Sequence, residues 1–588
     1  MEEIVGEAVA RRLVEWGVDT VFGLPGDGIN GLMEGFRRQA DKVRFVLVHH
    51  EEAAAFMATG YAKATGRLGV CVATSGPGAI HLLNGLYDAK LDHAPVLALT
   101  GMQETSVLGS HYQQEVHLDR LYEDVAGYNL MVTNPQQVPG VVDLAVRNAL
   151  AKHTVAHLTF PTDVQVAPVS EDPYRHIGPG GPPHSTAAYV ERPMPASEAE
   201  LDRAAEVLNA GKKVAMLVGI GARDARQEVL AVADALGAPI VKSLSGKCVV
   251  PDDHPLTTGG LGLLGTRPSE ELMEECDTIF MVGTCFPYSK HLPSPGQART
   301  VQVDRDPTLI GIRLPADAPV TADAKLALGA LLPKLTRVTD RSFLEKHQRG
   351  MQQWRSNMSA LQDASRDPIA PQYLMGCVDR LAADDAILTC DSGTIATWAA
   401  RHWTIRGGRE FYLSGNLATM APGLPYAMAM QHAYPGRQVI AFVGDGGFAM
   451  LMAEFLTAVR HELPVKVIIN NNNAYGQILW EQIVLGYPEY AVRHAEPEAD
   501  FSSWARGCGA HTAKITKPGE LEPAIRAALA HPGPALVDVD VNPNEPPMPG
   551  KVTYDQAKHF TEAFLRGQPH KVATMTTVAR DKISELFS

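Results

Sequence analysis

Short hydrophobic runs alternate with stretches of helical spacing along almost the whole chain. Seven runs of four or five mostly apolar residues predict buried strands, and most of them precede a stretch whose apolar positions recur with helical spacing. Strands that alternate with helices favour parallel sheets covered on both faces. We therefore predict an α/β protein of doubly wound parallel sheets, with strands at residues 18–22, 45–48, 69–73, 96–100, 214–218, 439–443 and 465–469.

Breaks in this pattern divide the chain into three α/β units and a helical tail. The chain has 588 residues, which is too many for one hydrophobic core. Pro- and Gly-rich stretches at residues 177–183 and 542–547 predict linkers, and residues 341–363 predict a polar connecting helix. The expected units are residues 1–180, 190–340 and 355–545, followed by a tail at 546–588.

A candidate cation site lies in the third unit. Asp445 follows one predicted strand, and Asn472 follows the next strand, with a helix predicted between them at residues 448–461. Ligands of open α/β sheets bind at the carboxyl ends of the strands, so both side chains can face one ion. Carboxylate, amide and backbone carbonyl oxygens suit Mg²⁺, which keeps phosphate oxygens in its remaining positions. This spacing predicts a magnesium–diphosphate site.

The tripeptide Gly-Asp-Gly around Asp445 is weak evidence alone, because it also forms ordinary turns. The chain contains a second copy at residues 26–28. The residue at the same separation from Asp27 is Ala54, which has no side-chain oxygen. We therefore predict a turn at the first copy and a cofactor site at the second.

Composition and charge narrow the function classes. The chain is 45% hydrophobic and 20% charged, as is usual for soluble globular proteins, and its formal charge of −14 argues against nucleic acid as a partner. Seven cysteines without a CxxC pair favour reduced thiols. The acidic N-terminus lacks an apolar stretch of signal-peptide type, and no apolar run is long enough to span a bilayer. We expect a cytoplasmic protein.

The second unit has a glycine-rich turn after its first predicted strand. Gly219 and Gly221 follow residues 214–218, but Asp224 stands where a dinucleotide fingerprint has a third small residue. An acidic residue is also missing about twenty positions further on. We predict no standard NAD site. The turn either receives a diphosphate at a helix start or is plain turn chemistry.

Motifs spread over nearly the whole chain resemble those of the thiamine diphosphate enzymes. The resemblance implies their domain order: a pyrimidine-binding domain, a middle domain and a diphosphate-binding domain. The middle unit is similar to the FAD-carrying domain of pyruvate oxidases and pyruvate:quinone dehydrogenases. The segments that carry the resemblance are residues 50–55, 74–78, 84–85, 245–247, 260–265, 283–288, 301–304, 418–420, 548–550 and 557–560.

This resemblance implies thiamine diphosphate, Mg²⁺ and FAD as cofactors. The implied reaction is oxidative decarboxylation of a 2-oxo acid, pyruvate or a more polar analogue, with electrons passed through the flavin to a quinone or oxygen. The pyrimidine and diphosphate sites of the family meet across two chains, so we expect a homodimer or homotetramer. Two alternatives stay open: a carboligase similar to acetolactate synthase, whose FAD has no redox role, and a catalytically silent cofactor-binding or scaffold protein.

The resemblance also assigns roles to individual residues. Glu51 bonds a ring nitrogen of the aminopyrimidine, although Glu52 is a neighbouring candidate and a helix-start carboxylate needs no catalytic role. Met420 holds the cofactor bent, and Gln114 and Glu481 act in the active site, although Glu481 can equally be an exposed helix residue. Ala474 lends its carbonyl to the metal beside Asp445 and Asn472. The residues expected to contact the cofactors are Gly26, Gly76, Asn84, Gly393, Thr394, Ala418, Thr419, Met420, Gly446, Gly447, Ala474, Tyr475 and Gly476, and in the middle unit Gly219, Gly221, Gly260, Leu261, Gly262, Leu263, Gly283, Thr284, Phe286, Pro287, Val303 and Asp304.

Two residues depart from the pattern of the pyruvate enzymes. Gln113 and Gln477 stand where these enzymes usually have Phe. Amides in place of aromatic walls make the pocket more polar, so the expected 2-oxo acid or acceptor differs from plain pyruvate. The histidines near the expected site are each taken as structural, namely His49, His50, His81, His93, His111 and His117.

The tail supports two interpretations. Phe560, Phe564 and Leu565 can form an apolar stripe for weak peripheral contact with a membrane. The same residues can instead form a helix that covers the active site or packs on a neighbouring chain. No run of basic residues favours the membrane interpretation.

Overall fold

The computed structural model describes residues 2–169, 185–494, 499–548 and 554–586, and it contains three six-stranded parallel sheets. Helices flank each sheet, which confirms the predicted α/β class. The strands are β1 Thr20–Gly23, β2 Arg44–Leu47, β3 Gly69–Ala73, β4 Val96–Met102, β5 Ala126–Met131 and β6 Val155–Pro161; β7 Val214–Val218, β8 Ile240–Lys242, β9 Thr257–Gly260, β10 Thr278–Val282, β11 Arg299–Asp304 and β12 Ala318–Thr321; β13 Ile387–Cys390, β14 Glu410–Tyr412, β15 Val439–Gly444, β16 Lys466–Asn471, β17 His511–Ile515 and β18 Ala535–Asp540.

The helices follow the strands in regular alternation and end in a two-helix tail. They are α1 Val5–Glu15, α2 Asn30–Arg38, α3 Glu51–Thr65, α4 Pro77–His81, α5 Leu83–Leu91, α6 Leu118–Leu121, α7 Val138–Lys152 and α8 Thr162–Val166; α9 Glu198–Ala210, α10 Arg226–Leu236, α11 Arg267–Glu275, α12 Ala324–Leu331 and α13 Ser342–Ala360; α14 Pro371–Leu381, α15 Thr394–His402, α16 Gly423–Ala433, α17 Asp445–Met450, α18 Glu454–Arg460, α19 Gly476–Val484, α20 Phe501–Gly507 and α21 Pro518–Ala530; and α22 Tyr554–Leu565 and α23 Lys571–Leu586.

The strand order differs between the middle sheet and the other two. The first sheet has the order β2-β1-β3-β4-β6-β5, and the third has the equivalent order β14-β13-β15-β16-β18-β17. The middle sheet has the order β9-β8-β7-β10-β11-β12, which is the doubly wound order of dinucleotide-binding domains. The order reverses between β1 and β3, between β7 and β10, and between β13 and β15. Connections leave these points in opposite directions, so a crevice opens there at the carboxyl ends of the strands.

The first and third units pack directly on each other. One hydrophobic cluster contains buried residues from α3 and from α16. A polar group lies beside it, in which the buried Lys63 ammonium donates to Tyr426 Oη at 2.6 Å and to Asp92 at 2.7 Å, and Tyr426 also bonds Asp88. The nearby carboxylates compensate Lys63 for the loss of water, so that its pKa stays raised although the side chain is largely buried.

Arg223 joins all three units. It lies after β7 in the middle unit, and its guanidinium donates to the carbonyl of Lys63 in the first unit at 3.0 Å. It also donates to Glu410 in the third unit at 2.6 Å and to the hydroxyl of Tyr412 at 2.5 Å. The planar guanidinium of arginine suits such a junction because it can donate hydrogen bonds to several acceptors from one position.

The sequence predictions need correction in the third unit. The helix predicted at residues 448–461 is two helices, α17 and α18, separated at Leu451, whose φ of −129° lies outside the helical range. Residues 542–547, predicted as a linker, are anchored: Glu545 is buried and accepts from Arg366 at 2.6 Å and Gln372 at 2.7 Å. The linker predicted at residues 177–183 lies outside the described residues.

The tail packs on the third unit. Phe560 and Phe564 of α22 contact a small cluster built on Leu479, Trp480 and Ile483 of α19. Leu565 is 82% exposed. Two of the three residues of the predicted apolar stripe therefore face the protein. Within the part of the chain that the structure describes, no helix combines the length and apolar character needed to cross a bilayer.

Candidate active site

The candidate cation site lies where the strand order of the third sheet reverses. Asp445 follows β15, and Asn472 follows the neighbouring strand β16. The amide oxygen of Asn472 lies 3.2 Å from Asp445 Oδ1 and 2.8 Å from the carbonyl oxygen of Ala474. These three atoms are the ones that the sequence analysis assigns to Mg²⁺.

Three oxygens at these spacings fit a hard cation. Octahedral Mg²⁺ with bonds of about 2.0–2.1 Å has neighbouring ligand oxygens about 2.9 Å apart. Without a cation the three oxygens repel one another, and rotation of the Asn472 amide would let its nitrogen donate to the other two. A bound cation would favour the oxygen-inward orientation of Asn472, whereas the protein alone favours the orientation in which its nitrogen donates to Asp445 and Ala474. The second oxygen of Asp445, Oδ2, is buried and has no hydrogen-bond partner among the described residues.

Burial raises the pKa of Asp445 to about 7. The cause is desolvation, which disfavours the charged carboxylate, and backbone hydrogen bonds to Gly446 and Ala474 offset only part of it. Burial likewise raises the pKa of Asp391, after β13, to about 7. Asp391 Oδ1 accepts from the amide of Gly423 at 2.8 Å, and its Oδ2 has no partner in the described chain. A divalent cation would supply the positive charge that stabilises ionised carboxylates at this edge of the sheet.

The glycines around these carboxylates are required by close contacts. A side chain at Gly446 would lie 2.8 Å from the ring of Tyr475, and one at Gly447 would collide with Asp391 Oδ2. Gly393 lies beside open space and has φ of +124°, a backbone conformation that favours glycine. Gly393 precedes Thr394, the first residue of α15, so the backbone there can approach a cofactor closely.

The loop that carries Met420 is strained. Ala418 and Ala421, on either side of it, have φ of 55° and 75°, which is uncommon for residues with a side chain. Thr419 is held by two polar contacts: its amide donates to Ser414 Oγ at 3.2 Å, and its hydroxyl accepts from Asn84 at 3.2 Å. Met420 itself is half-buried. The loop therefore places Met420 just before α16, between residues whose backbone conformations are constrained.

Helix α19 presents further polar side chains next to the cation site. It begins at Gly476, after Tyr475, which is 37% exposed. Gln477 donates to Glu481 at 2.9 Å, one helical turn away. Glu481 is exposed in the single chain, and Gln477 is partly exposed.

Glu51 lies in the first unit at the start of α3. Its side chain is 9% exposed, and its Oε2 lies 2.9 Å from Nδ1 of His81. The ring of His50 stacks on His81 with centroids 4.4 Å apart. Glu52 points elsewhere and accepts from Asn84 at 2.6 Å. Of the two neighbouring glutamates, Glu51 is the more buried and has the shorter contact with a histidine, since Glu52 lies 4.0 Å from Nδ1 of His50.

The segment around Gln114 covers the first unit's switch point, between β1 and β3. Gln114 has φ of 61°, and its Oε1 accepts from Ser75 at 3.4 Å. A side chain at Gly76, which has φ of 61°, would lie 2.8 Å from Cβ of Gln114. Gly26, in the first Gly-Asp-Gly, packs on Thr74, where an added side chain would lie 2.5 Å away. The carboxylate of Asp27 bonds the amide of Gly28 at 2.9 Å, as in a turn.

In the middle unit, the residues expected to contact FAD gather at the carboxyl edge of the sheet. Gly219 and Gly221 follow β7, and Gly283, with φ of 60°, follows β10 across the switch point. Their backbones pack on one another: a side chain at Gly219 would lie 2.5 Å from the carbonyl of Gly283. The other expected residues lie at the ends of β9, β10 and β11, and they are Gly260, Leu261, Gly262, Leu263, Thr284, Phe286, Pro287, Val303 and Asp304.

Three residues near the site were not assigned a role from the sequence. Asp391 accepts from Gly423 and packs closely on Gly447, His81 contacts Glu51, and His494 Nε2 lies 3.5 Å from Asp445 Oδ2. The sequence predicts a structural role for His81. Each contact joins residues of different helices, strands or loops, so no short sequence pattern predicts it. The one available signal was position, because Asp391 directly follows a buried strand at the ligand-binding edge.

Comparison with known proteins places this geometry in a family. The chain matches the N-terminal TPP binding domain of thiamine pyrophosphate enzymes over residues 4–121, their central domain over 201–331 and their C-terminal TPP binding domain over 391–539. It is 41% identical over 561 residues to YdaP of Bacillus subtilis, which is named as a thiamine pyrophosphate-containing protein; the match covers 95% of each chain.

Two relatives with named activities are similar over comparable lengths. The chain is 31% identical over 559 residues to the pyruvate oxidase of Lactiplantibacillus plantarum, covering 94% of this chain and 91% of the relative. It is 31% identical over 587 residues to the large subunit of acetolactate synthase isozyme 3 of Escherichia coli, covering 96% and 98%. Together with the three matched domains, these similarities establish that the chain belongs to the thiamine pyrophosphate enzyme family.

Proposed function

We propose that this protein is a thiamine diphosphate-, Mg²⁺- and FAD-dependent oxidoreductase that decarboxylates a 2-oxo acid. The acid is oxidised to the carboxylic acid one carbon shorter and carbon dioxide, with water supplying the new oxygen. The two electrons released pass to the flavin and then to a quinone or oxygen. Each electron pair lost by the substrate is thereby gained by the acceptor.

The observation that carries the cofactor assignment is the convergence of Asp445 Oδ1, Asn472 Oδ1 and the Ala474 carbonyl. These atoms would hold Mg²⁺, and the ion would hold the diphosphate against the open backbone at Gly393. When bound, thiamine diphosphate supplies a nucleophilic carbon and an electron sink for decarboxylation. Glu51, on the other unit, is the buried carboxyl suited to bond the aminopyrimidine and to hold or release a proton there.

The loop at Met420 acts by orientation. Two residues of positive φ and the contacts of Thr419 hold it in a conformation that a flexible loop would rarely adopt. Such a fixed apolar side chain can press a bound cofactor into a reactive shape, which lowers the entropy lost on reaching the transition state. Gln114 and Glu481 would contact the substrate from opposite units.

Two observations support FAD in the middle unit. The strand order of the middle sheet is that of dinucleotide-binding domains, and its switch point lies at Gly219 and Gly283. Large apolar side chains are exposed at the same edge, namely Ile220 at 46%, Leu263 at 41% and Tyr288 at 59%. The aromatic ring system of a bound FAD would cover these exposed apolar side chains. The tight packing of Gly219 on Gly283 also fits the alternative, a plain turn, and the flavin absorbance of the purified protein separates the two.

The substrate is proposed to be more polar than pyruvate. Gln113 is exposed in the single chain, next to Gln114, and Gln477 is bonded to Glu481. Amides at these positions offer hydrogen bonds that an aromatic wall lacks, and an apolar substrate group would leave them unpaired at a cost of about 1–3 kcal/mol each. A homodimer is the smallest assembly proposed, because in the thiamine diphosphate enzymes the pyrimidine site of one chain meets the diphosphate site of another.

The second candidate is a carboligase, which the similarity to acetolactate synthases favours. In that case a second carbonyl compound traps the decarboxylated group and no electrons reach the flavin. One experiment separates the candidates: the visible absorbance of purified protein, saturated with thiamine diphosphate and Mg²⁺, before and after anaerobic addition of pyruvate, with 2-oxobutanoate and a hydroxylated 2-oxo acid in parallel. Bleaching of flavin absorbance supports the oxidoreductase. Unchanged absorbance with a ligated product supports the carboligase, and absence of flavin overturns the FAD assignment.

A further inference from the structure

His494 lies beside the candidate cation site and is held there by backbone pairing. The amide of Tyr475 donates to the carbonyl of Val492 at 2.8 Å, and the amide of His494 donates to the carbonyl of Asn473 at 3.0 Å. Ala474 and Arg493 form an antiparallel bridge between these bonds. The strand segment that carries His494 is therefore paired with the segment that supplies the Ala474 carbonyl.

The ring of His494 points at the cation carboxylate. Its Nε2 lies 3.5 Å from Asp445 Oδ2, and both atoms are buried without a hydrogen-bond partner among the described residues. The ring packs edge-on against Tyr475, with centroids 4.7 Å apart. Gly446 lies beside both rings, and a side chain there would come within 2.8 Å of the Tyr475 ring. Two buried polar atoms that face each other across a side-chain gap need a shared partner, or a hydrogen bond to one another.

We propose that His494 is a positioning residue of the cation site, whose Nε2–H donates to Asp445 Oδ2. A small rotation of the carboxylate closes the 3.5 Å separation to a hydrogen bond. That bond holds Oδ2 away from the ion and leaves Oδ1 directed at the Asn472 oxygen and the Ala474 carbonyl. Carboxylates that bind metals are commonly oriented in this way by an outer hydrogen bond. The inference rests on the proposed cation site.

The geometry favours this outer role over direct ligation by the nitrogen. The three converging oxygens meet at Oδ1, whereas the ring contacts the other carboxylate oxygen, Oδ2. A hard cation such as Mg²⁺ also prefers oxygen ligands to imidazole. When a bound cation keeps Asp445 ionised, the hydrogen lies on Nε2, because the other neutral tautomer would set two lone pairs against each other.

The test measures cation binding directly, with Mn²⁺ as a paramagnetic substitute for Mg²⁺. Free Mn²⁺ is followed by electron paramagnetic resonance during titration of the full-length protein in excess thiamine diphosphate. We expect His494→Ala to weaken Mn²⁺ binding by about 10- to 100-fold, the range found for outer partners of metal ligands. His494→Gln places an amide N–H at a similar distance from the backbone, so its binding should stay within about threefold of wild type.

His494→Asn completes the comparison, because its amide is of the same kind but too short to reach Oδ2. It should lose as much affinity as His494→Ala. His531→Ala is the matched control, since His531 stacks on His511 at the far side of the third unit and should bind Mn²⁺ as wild type does. Equal affinity of the Gln and Asn variants, or an unchanged Ala variant, overturns the proposal. Failure of the wild-type protein to bind Mn²⁺ at one site would instead overturn the proposed cofactor function.

Discussion

Nδ1 of His81 lies 2.9 Å from Oε2 of Glu51, at the start of the helix that follows β2. The two residues come from different elements, α4 and α3, and the ring of His50 stacks on His81 from the outside. The Glu51 side chain is only 9% exposed, and the contact with His81 fixes the direction of its carboxyl group. His81 therefore aims Glu51, and the contact can be tested by its effect on turnover.

Replacement of His81 should slow the reaction without abolishing cofactor binding. We expect His81→Ala to lower kcat about 10- to 100-fold. Without His81 the Glu51 carboxyl is no longer held in one direction, so it loses part of the rate acceleration that a positioned acid or base provides. His81→Asn keeps a donor near the place of Nδ1 and should recover part of the rate. Steady-state kinetics of 2-oxo acid consumption, with the pH profile of kcat, checks this. A His81→Ala enzyme with wild-type kcat and pH profile would assign His81 a packing role only.

Glu51 and Glu52 provide a matched pair of adjacent carboxyl groups. Glu51→Gln should lower kcat by about 10²- to 10⁴-fold, the usual contribution of a proton-transfer group. Glu52→Gln should have a small effect, because Glu52 is less buried, accepts from Asn84 and lies 4.0 Å from Nδ1 of His50. Thiamine diphosphate binding, measured by tryptophan fluorescence, should survive in both variants. Comparable kcat values for the two variants would contradict the assignment of Glu51.

The pH dependence of cation binding follows from Asp445. Burial raises the pKa of its carboxyl to about 7, whereas the unfolded chain releases that proton near its ordinary value of 3.8. The folded protein without a cation therefore loses stability as pH rises toward about 7, since it must then ionise a buried carboxyl. A cation has to displace the proton, so Mg²⁺ affinity should rise about tenfold per pH unit below about 7 and level off above it.

Calorimetric titration of Mg²⁺ into the protein at several pH values checks this dependence. Asp445→Asn should abolish specific binding at every pH. Asp391→Asn is the control: burial raises the pKa of Asp391 to about 7 as well, but its carboxyl faces Gly423 and Gly447 instead of the three oxygens. That variant should keep the pH dependence. An affinity that is flat between about pH 5 and 8 in the wild type would argue against Asp445 as the ligand.

The strands and the places of the candidate cation ligands could be predicted from the sequence because both follow local patterns. The strand predicted at residues 214–218 agrees with β7 at both ends, and Asp445 and Asn472 follow their strands as expected. Apolar runs report burial, and the carboxyl ends of parallel strands share an edge. These rules need no knowledge of how distant helices pack.

The contacts that complete the site depend on that packing and could not be predicted. His81 reaches Glu51 only because α4 follows β3 and lies against α3, and His494 reaches Asp445 only through its pairing with Asn473. The break between α17 and α18 has a similar origin. Glu454, at the start of α18, accepts from the amides of His49 and His50 in the first unit at 3.0 and 2.7 Å. A continuous helix over these residues was the simpler prediction.

The tail offers a test of its role through two adjacent residues. Phe564 packs on the α19 cluster and Leu565 is 82% exposed, so the two differ in burial but share one helix. Phe564→Ala should weaken docking of α22 by about 1–3 kcal/mol, because Phe564 is only partly buried and truncation leaves a cavity at its contact. Leu565→Ala should change it by less than about 0.5 kcal/mol, as is usual for exposed positions.

Hydrogen exchange of the α22 amides measures this docking directly, and limited proteolysis gives a second readout. Because α22 packs on the helix that carries Gln477 and Glu481, loosening it should also raise KM for the 2-oxo acid in the Phe564→Ala variant. The reverse pattern, in which Leu565→Ala alone alters kinetics and only when lipid vesicles are present, would mean that the exposed face of α22 binds membrane. Faster exchange confined to the Phe564→Ala variant, without lipid, would establish that α22 is held by its contact with α19.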